Sequence, residues 1–310
     1  MREDATGCDK AADVSVCIVS WNVADDLRIC LRSLCEQRNP PSFEVIVADN
    51  ASADGTPQML AADFPEVRLI ANDANLGFAR GTNQGMAAAC GRYLMLLNPD
   101  TVVPPEALRR LVEVADANPD AGIVAPKLLN PDGTLQYSCR RFPTVTAAIF
   151  RHTMFGRLLP GARSASYYIM EDFDHESERD VDWVSGACML VRREALEQVG
   201  PLDQRFQWGS EDVDWCMRMH RAGWRVLYTP ITAIVHAIGR SSDQAVIPTI
   251  FRSHRGMYLL YSKHFAHNPL TRVVIWAGVW VRAGLLIVSW RLRQLRALLA
   301  ARLHPLLRGG

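Results

Sequence analysis

The chain has 310 residues, of which 49% are hydrophobic, and its 34 lysine and arginine residues nearly balance its 33 aspartate and glutamate residues. A chain of this length and apolar content can bury a large core, which argues against a small module that needs disulfides or structural metals to fold. The net charge of +1 argues against binding to nucleic acid through overall charge, so no nucleic acid partner is expected.

Residues 1–13 form a polar N-terminal tail without the charged-then-apolar pattern of a secretory signal. The eight cysteines of the chain are scattered without a CxxC pair, and most lie within apolar runs, where cysteine is usually a small buried side chain. Both features favour a reducing compartment. We therefore expect the body of the protein to lie in the cytoplasm.

Between residues 14 and 127, short β-branched runs alternate with helical patterns, which is typical of βαβ units. The predicted strands span Val14–Ser20, 43–48, 67–71, Tyr93–Leu97 and 123–125, and the predicted helices include 25–36 and 105–117. This pattern predicts an α/β fold with a Rossmann-like, mostly parallel sheet flanked by helices.

Residues 128–250 are less regular, and the charged stretch 171–182 is typical of a loop that lies over a site. An apolar run at 184–191 follows, then predicted helices at Arg193–Val199 and 211–222, and a predicted strand at 225–228 that leads to His236. We interpret 14–127 and 128–250 as the two halves of one domain.

The last region, 251–310, is helical in pattern, and its apolar stretch 273–290 contains Arg282. That stretch is slightly short for a spanning helix, whereas 291–302 sets leucines against arginines, as basic amphipathic helices on anionic bilayers do. We therefore favour a tail that lies on a membrane surface. The alternative is a helix packed on its own domain or on a second subunit, which leaves a homo-oligomer open.

Acidic residues follow the predicted elements where a parallel sheet binds its ligands, beyond the carboxyl ends of the strands. Asp49 ends the second strand, Asp100 follows the fourth strand through Asn98, and Glu211-Asp212 opens a later helix. A carboxylate held in this way suits Mg²⁺ or Mn²⁺, which take oxygen ligands and bridge them to a diphosphate. The alternative for residues 98–100 is an ordinary turn before a helix.

Five motifs occur in a fixed order, and this ordered set is more specific for a protein family than any one motif. They are the runs 49–56 and 75–83, Asn98-Pro99-Asp100, the run 183–187 and the run 211–214. Together they resemble the inverting family 2 glycosyltransferases of GT-A fold, particularly the bacterial rhamnosyltransferase branch. The resemblance covers roughly residues 14–264, and the roles in the next three paragraphs are what it implies.

The resemblance implies a nucleotide-sugar donor, a dTDP- or UDP-sugar, bound by the first half of the domain. Asp49 would contact the pyrimidine base, and the segment 75–83 would close over the nucleotide and the sugar. The implied donor-binding residues are Ser20, Asn22, Asp49, Asn75, Gly77, Arg80, Asn83 and Asn98. The alternatives are local: a turn cap for Asp49 and an ordinary glycine-containing loop for the segment 75–83.

A divalent cation, Mg²⁺ or Mn²⁺, is the implied cofactor, with Asp100 and His236 as its protein ligands. The metal motif of the family is usually Asp-x-Asp, and Asn98 occupies its first position here, which replaces a charged ligand by a neutral one and predicts weaker binding. A lone histidine is more often structural than a ligand.

Asp212 matches the general base that takes the proton of the acceptor hydroxyl, and Glu211 would orient it or bind the acceptor. Trp183, Ser185 and Gly186 would form the wall beside acceptor and donor sugar. The alternatives are acids that simply favour the positive end of a helix dipole, and a tryptophan that belongs to the core.

These roles predict a single in-line displacement that inverts configuration and moves one sugar, preferably rhamnose from dTDP-rhamnose, to a membrane-linked acceptor. A polyprenyl-diphosphate sugar of cell-wall or polysaccharide synthesis is the expected acceptor, and the cytoplasmic face of the cell membrane is the expected location, with peripheral or weak anchoring. Other readings are a hexosyl- or deoxyhexosyltransferase that uses a UDP- or dTDP-sugar, and a noncatalytic membrane scaffold of the same fold. A nucleotidyltransferase is disfavoured because no glycine-rich basic loop follows the first strand.

Overall fold

The computed structural model describes residues 12–143, 167–207, 209–237, 246–266 and 268–303. The strands in chain order are β1 (Val14–Ser20), β2 (Phe43–Asp49), β3 (Arg68–Ala71), β4 (Tyr93–Leu97), β5 (Thr101–Val102), β6 (Ala121–Leu129), β7 (Leu135–Gln136), β8 (Cys139–Arg140), β9 (Arg179–Asp180), β10 (Trp183–Val184), β11 (Cys188–Arg192) and β12 (Arg225–His236). The helices are α1 (Ala24–Cys35), α2 (Thr56–Asp63), α3 (Phe78–Ala88), α4 (Ala107–Ala117), α5 (Arg193–Val199), α6 (Glu211–Arg221), α7 (Val246–His264) and α8 (Pro269–Leu303).

The main sheet has the strand order β3-β2-β1-β4-β11-β6-β12-β5, with β7 paired to β6 and β9 paired to β12. Strands β1, β2, β3 and β4 are parallel, and β6 and β12 are parallel, whereas β11 runs antiparallel between β4 and β6. The short strands β8 and β10 form a second, antiparallel sheet. The predicted α/β fold with a mostly parallel sheet is confirmed.

Strand β4 shows why the sheet forms: all five of its residues are buried, as expected for a central strand covered on both faces. Leu94 and Leu96 belong to one hydrophobic cluster, and Tyr93, Met95 and Leu97 belong to the other. This alternation places successive side chains on opposite faces of the sheet. The functional residues that follow β4 are therefore anchored at a rigid position.

The structure adds detail to two segments of the second half. The apolar run 184–191 contains the end of β10 and most of β11, and residues 185–187 between these strands line a cleft. The strand predicted at 225–228 continues to His236, and its register shifts between Thr229 and Ala233, around a proline that cannot donate a backbone hydrogen bond. Strand β6 also runs across residue 127, so the division of the domain there stays a prediction.

The C-terminal region is a pair of helices, α7 and α8, and the apolar and basic stretches predicted in the tail lie in one continuous helix. One face of α8 packs on α7 through Ile275 and Val279, which contact Tyr261 and its neighbours. Its other side exposes a row of apolar side chains: Val273, Val274, Trp276, Val281, Leu285 and Val288. The segment 269–294 is long and apolar enough to cross a membrane by length and composition, with a mean hydropathy of 1.8.

The cysteines do not follow a single pattern in the structure. Among the described residues, Cys90 is disulfide-bonded, whereas six cysteines are free, namely Cys17, Cys30, Cys35, Cys139, Cys188 and Cys216. Five of the free thiols are buried, as predicted for small apolar side chains. The disulfide at Cys90 differs from the expectation that the cysteines stay reduced.

Candidate active site

A cleft with a volume of about 290 Å³ opens at the carboxyl ends of β1 and β4. Its lining includes ten of the residues to which the sequence assigned a role: Ser20, Asn75, Gly77, Asn98, Asp100, Ser185, Gly186, Glu211, Asp212 and His236. Val19, Trp21, Asn50, Phe78, Pro99, Ala187 and Gly209 complete it. The cleft therefore brings together side chains that lie more than 200 positions apart in the chain.

One polar group in the cleft lacks a protein partner. The hydroxyl of Ser20 is fully buried, lines the cleft and has no hydrogen-bond partner in the described part of the protein. A buried hydroxyl without a partner costs stability unless a ligand or a water completes it. Ser20 is therefore placed to contact a bound molecule.

Asp49 does not line the cleft, although it pairs in register with Ser20 on the neighbouring strand. Its buried carboxylate accepts hydrogen bonds from the backbone N–H of Ser52, at 2.9 Å, and from the Ser52 hydroxyl, at 2.6 Å. Asn22 is similarly occupied, because its Oδ1 accepts a hydrogen bond of 2.8 Å from the N–H of Ala53. In this structure both side chains stabilise the turn after β2. This is the arrangement that the turn-cap alternative for Asp49 describes.

Three further residues with predicted roles lie outside the lining of the cleft. The amide of Asn83 is buried and makes two bonds to the backbone of Leu202, of 2.8 and 3.0 Å, so it joins α3 to the segment before α6. Arg80 is exposed on α3. Trp183 is 5% exposed and belongs to the core, where its Nε1 donates to the carbonyl of Arg141 at 3.0 Å. The core alternative for Trp183 therefore describes its position.

The loop before α3 contributes to the cleft through a glycine in the left-handed region, Gly77, with φ of 83°. A Cβ atom at this position would lie 3.1 Å from the carbonyl oxygen of Gln207, so the close approach of the two loops also requires glycine. Asn75 supports the turn because its Oδ1 accepts a hydrogen bond of 2.9 Å from the N–H of Gly77. Phe78 extends from this loop to Gly186 on the opposite wall.

Asp100 and His236 face each other across a pair of antiparallel strands. Thr101 in β5 is the register partner of His236 in β12, and the N–H of Ala237 donates to the carbonyl of Asp100 at 2.9 Å. Nε2 of His236 lies 3.3 Å from Oδ1 of Asp100 and 3.1 Å from Nδ2 of Asn98. The side chains of Asp100 and His236 are 11% and 9% exposed, respectively. The three polar side chains thus form one small, mostly buried cluster.

This cluster fits a divalent cation by its donor chemistry. Nε2 of His236 and Oδ1 of Asp100 lie 3.3 Å apart, and each can donate a lone pair to a cation placed between them. The carboxylate suits Mg²⁺ or Mn²⁺, and the imidazole favours Mn²⁺ of the two. Among the described residues, no three acidic, histidine or cysteine side chains form a metal-binding group. The two side chains would therefore need ligands from a bound substrate.

Glu211 and Asp212 begin α6 and lie in the same cleft. The turn before them has two residues in the left-handed region, Gly209 and Ser210, with φ of 76° and 75°. Oδ1 of Asp212 accepts a hydrogen bond of 2.8 Å from the N–H of Val213, and its Oδ2 accepts a longer one of 3.4 Å from the N–H of Gly186. Asp212 is therefore held in place and keeps lone pairs for another donor.

The two acids differ in their surroundings. Oε2 of Glu211 is buried and has no hydrogen-bond partner in the described ranges. Burial and the neighbouring carboxylate of Asp212 raise the pKa of Glu211 to about 8. Burial also raises the pKa of Asp212, but hydrogen bonds from Val213 and Gly186 and the charge of Arg140 oppose that rise. Of the pair, Asp212 is the carboxyl group better suited to be ionised, and Glu211 the one better suited to carry a proton.

Arg140 is a residue near the site to which the sequence assigned no role. It belongs to β8, pairs in register with Trp183, and lies over the rings of Trp183 and Tyr168 at 5.2 and 5.9 Å. Its guanidinium group donates hydrogen bonds to the carbonyl of Tyr137, at 3.2 and 3.4 Å, and forms no salt bridge with an acidic side chain of the described residues. A Cys-Arg-Arg run in a loop-like stretch gives no periodic signal from which this position could be predicted.

Comparison with known proteins gives consistent matches over most of the chain. Residues 15–200 match the model of the family described as Glycosyl transferase family 2. The N-acetylglucosaminyl-diphospho-decaprenol L-rhamnosyltransferase of Mycobacterium tuberculosis (strain CDC 1551 / Oshkosh) is 32% identical over 255 residues, which cover 79% of this chain and 82% of that protein. Rhamnosyltransferase WbbL of Escherichia coli (strain K12) is 25% identical over 249 residues, which cover 78% of this chain and 89% of that protein.

Among solved structures, the crystal structure of S. aureus TarS 1-349 in complex with UDP is similar with a TM-score of 0.54. The match covers 85% of this chain and 69% of that chain, at 15% sequence identity. At this identity the likeness concerns the fold.

Proposed function

Because the chain belongs to glycosyl transferase family 2, we propose that it transfers one rhamnosyl unit from dTDP-rhamnose to the sugar of a polyprenyl-diphosphate-linked acceptor, with inversion of configuration. That the chain is a glycosyltransferase follows from the family and from its rhamnosyltransferase relatives. The observation that carries the proposal is the shared cleft, because Asp100 and Asp212 both line this one cavity.

The reacting groups have separate roles in this proposal. Asp212 takes the proton of the acceptor hydroxyl as that oxygen attacks the anomeric carbon of the donor sugar. The N–H groups of Val213 and Gly186 hold the carboxylate in position, and the N-terminus of α6 stabilises its ionised form. Glu211, protonated, donates a hydrogen bond to a sugar hydroxyl. No covalent intermediate with the protein is needed for inversion in one step.

Donor binding in this proposal uses the other end of the cleft. Ser20 would complete its hydrogen bond with the nucleotide, and Asn75 and Gly77 would place the loop before α3 over the donor. Asp100 and His236, with Asn98, would hold Mg²⁺ or Mn²⁺. When bound, the ion supplies charge that stabilises the departing nucleoside diphosphate.

The acceptor is proposed to be a lipid, because the relative from M. tuberculosis is named for a diphospho-decaprenol substrate. The exposed apolar row of α8 gives the protein a surface that suits a bilayer. We propose that α8 lies on the cytoplasmic face of the cell membrane, which keeps the cleft near acceptors that cannot leave the bilayer.

The experiment is a transfer assay with the purified full-length chain. The protein is mixed with Mn²⁺, a short polyprenyl-diphosphate N-acetylglucosamine acceptor and, in parallel, dTDP-rhamnose or UDP-hexoses. Release of dTDP that depends on the acceptor, with a product heavier by one rhamnose, supports the proposal. Release from a UDP-hexose alone would favour the hexosyltransferase alternative, and no release from any donor would favour a noncatalytic scaffold.

The metal role is tested separately in the same assay. We expect EDTA and Asp100→Ala each to reduce turnover strongly, whereas Asp73→Ala, an exposed aspartate after β3, keeps the wild-type rate. If EDTA and Asp100→Ala both leave the rate unchanged, the proposed metal role is wrong.

A further inference from the structure

A buried glutamine lies behind His236, on the side away from Asp100, and the reaction proposed above does not use it. Gln136 belongs to β7 and is 8% exposed. Its Oε1 lies 2.7 Å from Nδ1 of His236. Its Nε2 lies 3.0 Å from the backbone carbonyl of His236 and 3.0 Å from Oδ1 of Asn130. The side chain of Gln136 thus contacts both the ring and the backbone of one histidine.

The orientation of the Gln136 amide follows from its partners. The backbone carbonyl of His236 can only accept a hydrogen bond, so the group of Gln136 that faces it must be the NH₂. Asn130 agrees with this orientation, because its own NH₂ donates to the hydroxyl of Thr134 at 2.9 Å and to the carbonyl of Leu135 at 3.4 Å. Its Oδ1 is therefore the atom that accepts from Gln136. The Gln136 oxygen is left to face Nδ1 of His236.

This orientation determines which nitrogen of His236 carries the proton. An amide oxygen only accepts, so Nδ1 of His236 must be the N–H donor of the 2.7 Å bond. A neutral imidazole has a single N–H, and Nε2 then has a lone pair. That lone pair accepts from Nδ2 of Asn98, a donor at 3.1 Å, which agrees with this tautomer. Nε2 also lies 3.3 Å from Oδ1 of Asp100, a second acceptor, so that a cation between the two atoms would make their contact favourable.

We propose that Gln136 is a positioning residue that fixes the Nδ1-protonated tautomer of His236 and so makes Nε2 a ligand for the divalent cation of the donor complex. This inference rests on the proposed function, in which His236 is a metal ligand. A hydrogen-bond acceptor behind a ligating histidine orients the ring and increases its basicity, and its removal commonly weakens metal binding by about 10- to 100-fold.

A merely structural role is the competing explanation, because Gln136 also joins β7 to the end of β12. Such a role would affect stability, but it would not determine where the proton of the imidazole lies. The position of that proton is therefore the measurement that separates the two explanations.

The experiment uses the full-length protein labelled with ¹⁵N in its histidines. Two-bond ¹H–¹⁵N NMR spectra identify the protonated nitrogen of His236, whose signals are assigned by their absence in His236→Asn. We expect Nδ1 to be protonated in the wild type and a mixture of tautomers in Gln136→Met. The matched control is Asn130→Ala, which removes one partner of the Gln136 NH₂ but leaves the bond to Nδ1, and it should keep the wild-type tautomer.

Binding of Mn²⁺ is then measured by EPR, with Mn²⁺ alone and with Mn²⁺ plus dTDP. Gln136→Met should raise the dissociation constant by about 10- to 100-fold, and Asn130→Ala by much less. A wild-type His236 protonated at Nε2 overturns the inference without any variant. If His236→Asn weakens Mn²⁺ binding but Gln136→Met leaves it unchanged, the inference about Gln136 is wrong and the metal role of His236 stands. Unchanged binding in His236→Asn overturns the proposed metal role of His236 as well.

Discussion

The carboxylate of Asp214 in α6 accepts a hydrogen bond of 2.7 Å from Nε2 of His264, the last residue of α7. Asp214 is fully buried, and Lys263 and Arg218 also contact it, at 2.7 and 3.0 Å. The helix that begins with Asp212 is thus joined to the C-terminal helix pair by a cluster of charges. The site and the apolar row of α8 therefore belong to one continuous body.

We expect Asp214→Asn to lower the free energy of unfolding by about 2 to 4 kcal/mol, because it leaves partly buried cations without their carboxylate. Urea denaturation of the full-length protein measures this loss. The control is Asp172→Asn, which breaks a pair between Arg141 and a carboxylate that is 54% exposed, and should cost much less. Equal losses in the two variants would show that burial does not strengthen the Asp214 cluster.

The same cluster predicts a dependence of stability on pH. Burial alone would raise the pKa of Asp214, but hydrogen bonds from His264 and Lys263 outweigh it and hold the pKa below the usual value of 3.8. Its contribution is therefore present above pH 3.8 and is lost as the pH falls through the lowered pKa. The difference in unfolding free energy between wild type and Asp214→Asn should shrink in that acidic range, and a difference that stays constant there would contradict the argument.

Asp212→Asn should reduce turnover by about 10²- to 10⁴-fold, because the amide keeps the shape of the side chain but cannot take a proton. The measurement is acceptor-dependent release of nucleotide with the donor that the wild type uses. The thermal unfolding midpoint should change little, which shows that the loss is chemical. Turnover within a few-fold of wild type would exclude Asp212 as the base.

Glu211→Gln should lose far less activity than Asp212→Asn, roughly tenfold or less, because a glutamine replaces a carboxyl group that is protonated at neutral pH. The raised pKa of Glu211, about 8 instead of 4.5, also predicts an effect on stability. Its contribution to stability is complete below pH 4.5 and is lost as the pH rises through about 8. The unfolding midpoint of Glu211→Gln, relative to that of the wild type, should therefore increase as the pH rises. Activity as low as that of Asp212→Asn would contradict the assignment of Glu211 as the protonated acid.

Arg140→Gln should move the acid limb of the kcat/KM profile to higher pH. The charge of Arg140 is one of the influences that lower the pKa of Asp212 against the effect of burial, so its removal makes the base harder to ionise. The matched control is Arg141→Gln, since Arg141 neighbours Arg140 in the chain but is paired with Asp172. An acid limb that shifts equally in both variants would refute a specific effect of Arg140.

The apolar row of α8 can be tested with vesicles that contain anionic lipid. Val281→Asp combined with Leu285→Asp should weaken sedimentation with the vesicles by about tenfold or more, because two exposed apolar side chains, 64% and 59% exposed, become charged. Ile29→Asp combined with Ile231→Asp adds the same charge at exposed apolar positions elsewhere, 53% and 44% exposed, and should bind like the wild type. Equal binding by all three proteins would exclude α8 as the membrane surface.

The sheet could be predicted from the sequence because its signal is local. Strands such as β1 and β4 are continuous β-branched or apolar runs, and their ends agree with the structure to the residue. Asp100 and Glu211-Asp212 could also be placed at the cleft, since each directly follows a strand or begins a helix. The rule that parallel strands present their carboxyl ends to one edge pointed to Asp100, and the resemblance to the glycosyltransferase family was needed to favour the site over the turn and helix-dipole alternatives.

The other contacts of the site could not be predicted, because they are hydrogen bonds between residues that are distant in the chain. Asn83 lies within a motif but bonds to Leu202, which is 119 positions away, and no local pattern signals that contact. The contact between Gln136 and His236 spans 100 positions. The hydrogen bond between Asp49 and Ser52 fits the turn-cap alternative, which the sequence left open beside a contact with the pyrimidine base.

The pairing of β5 with β12 sets the distance between Asp100 and His236 through the backbone, with the bond from Ala237 to the Asp100 carbonyl at its end. The ladder fixes the backbone separation of the two residues, and rotation of their side chains sets where the ligand atoms lie. Calcium has oxygen ligands at about 2.3–2.6 Å, compared with about 2.0–2.1 Å for magnesium, and prefers more of them. The range of ion radii that the pair can accommodate would then depend on the ladder and on the rotamers that it allows.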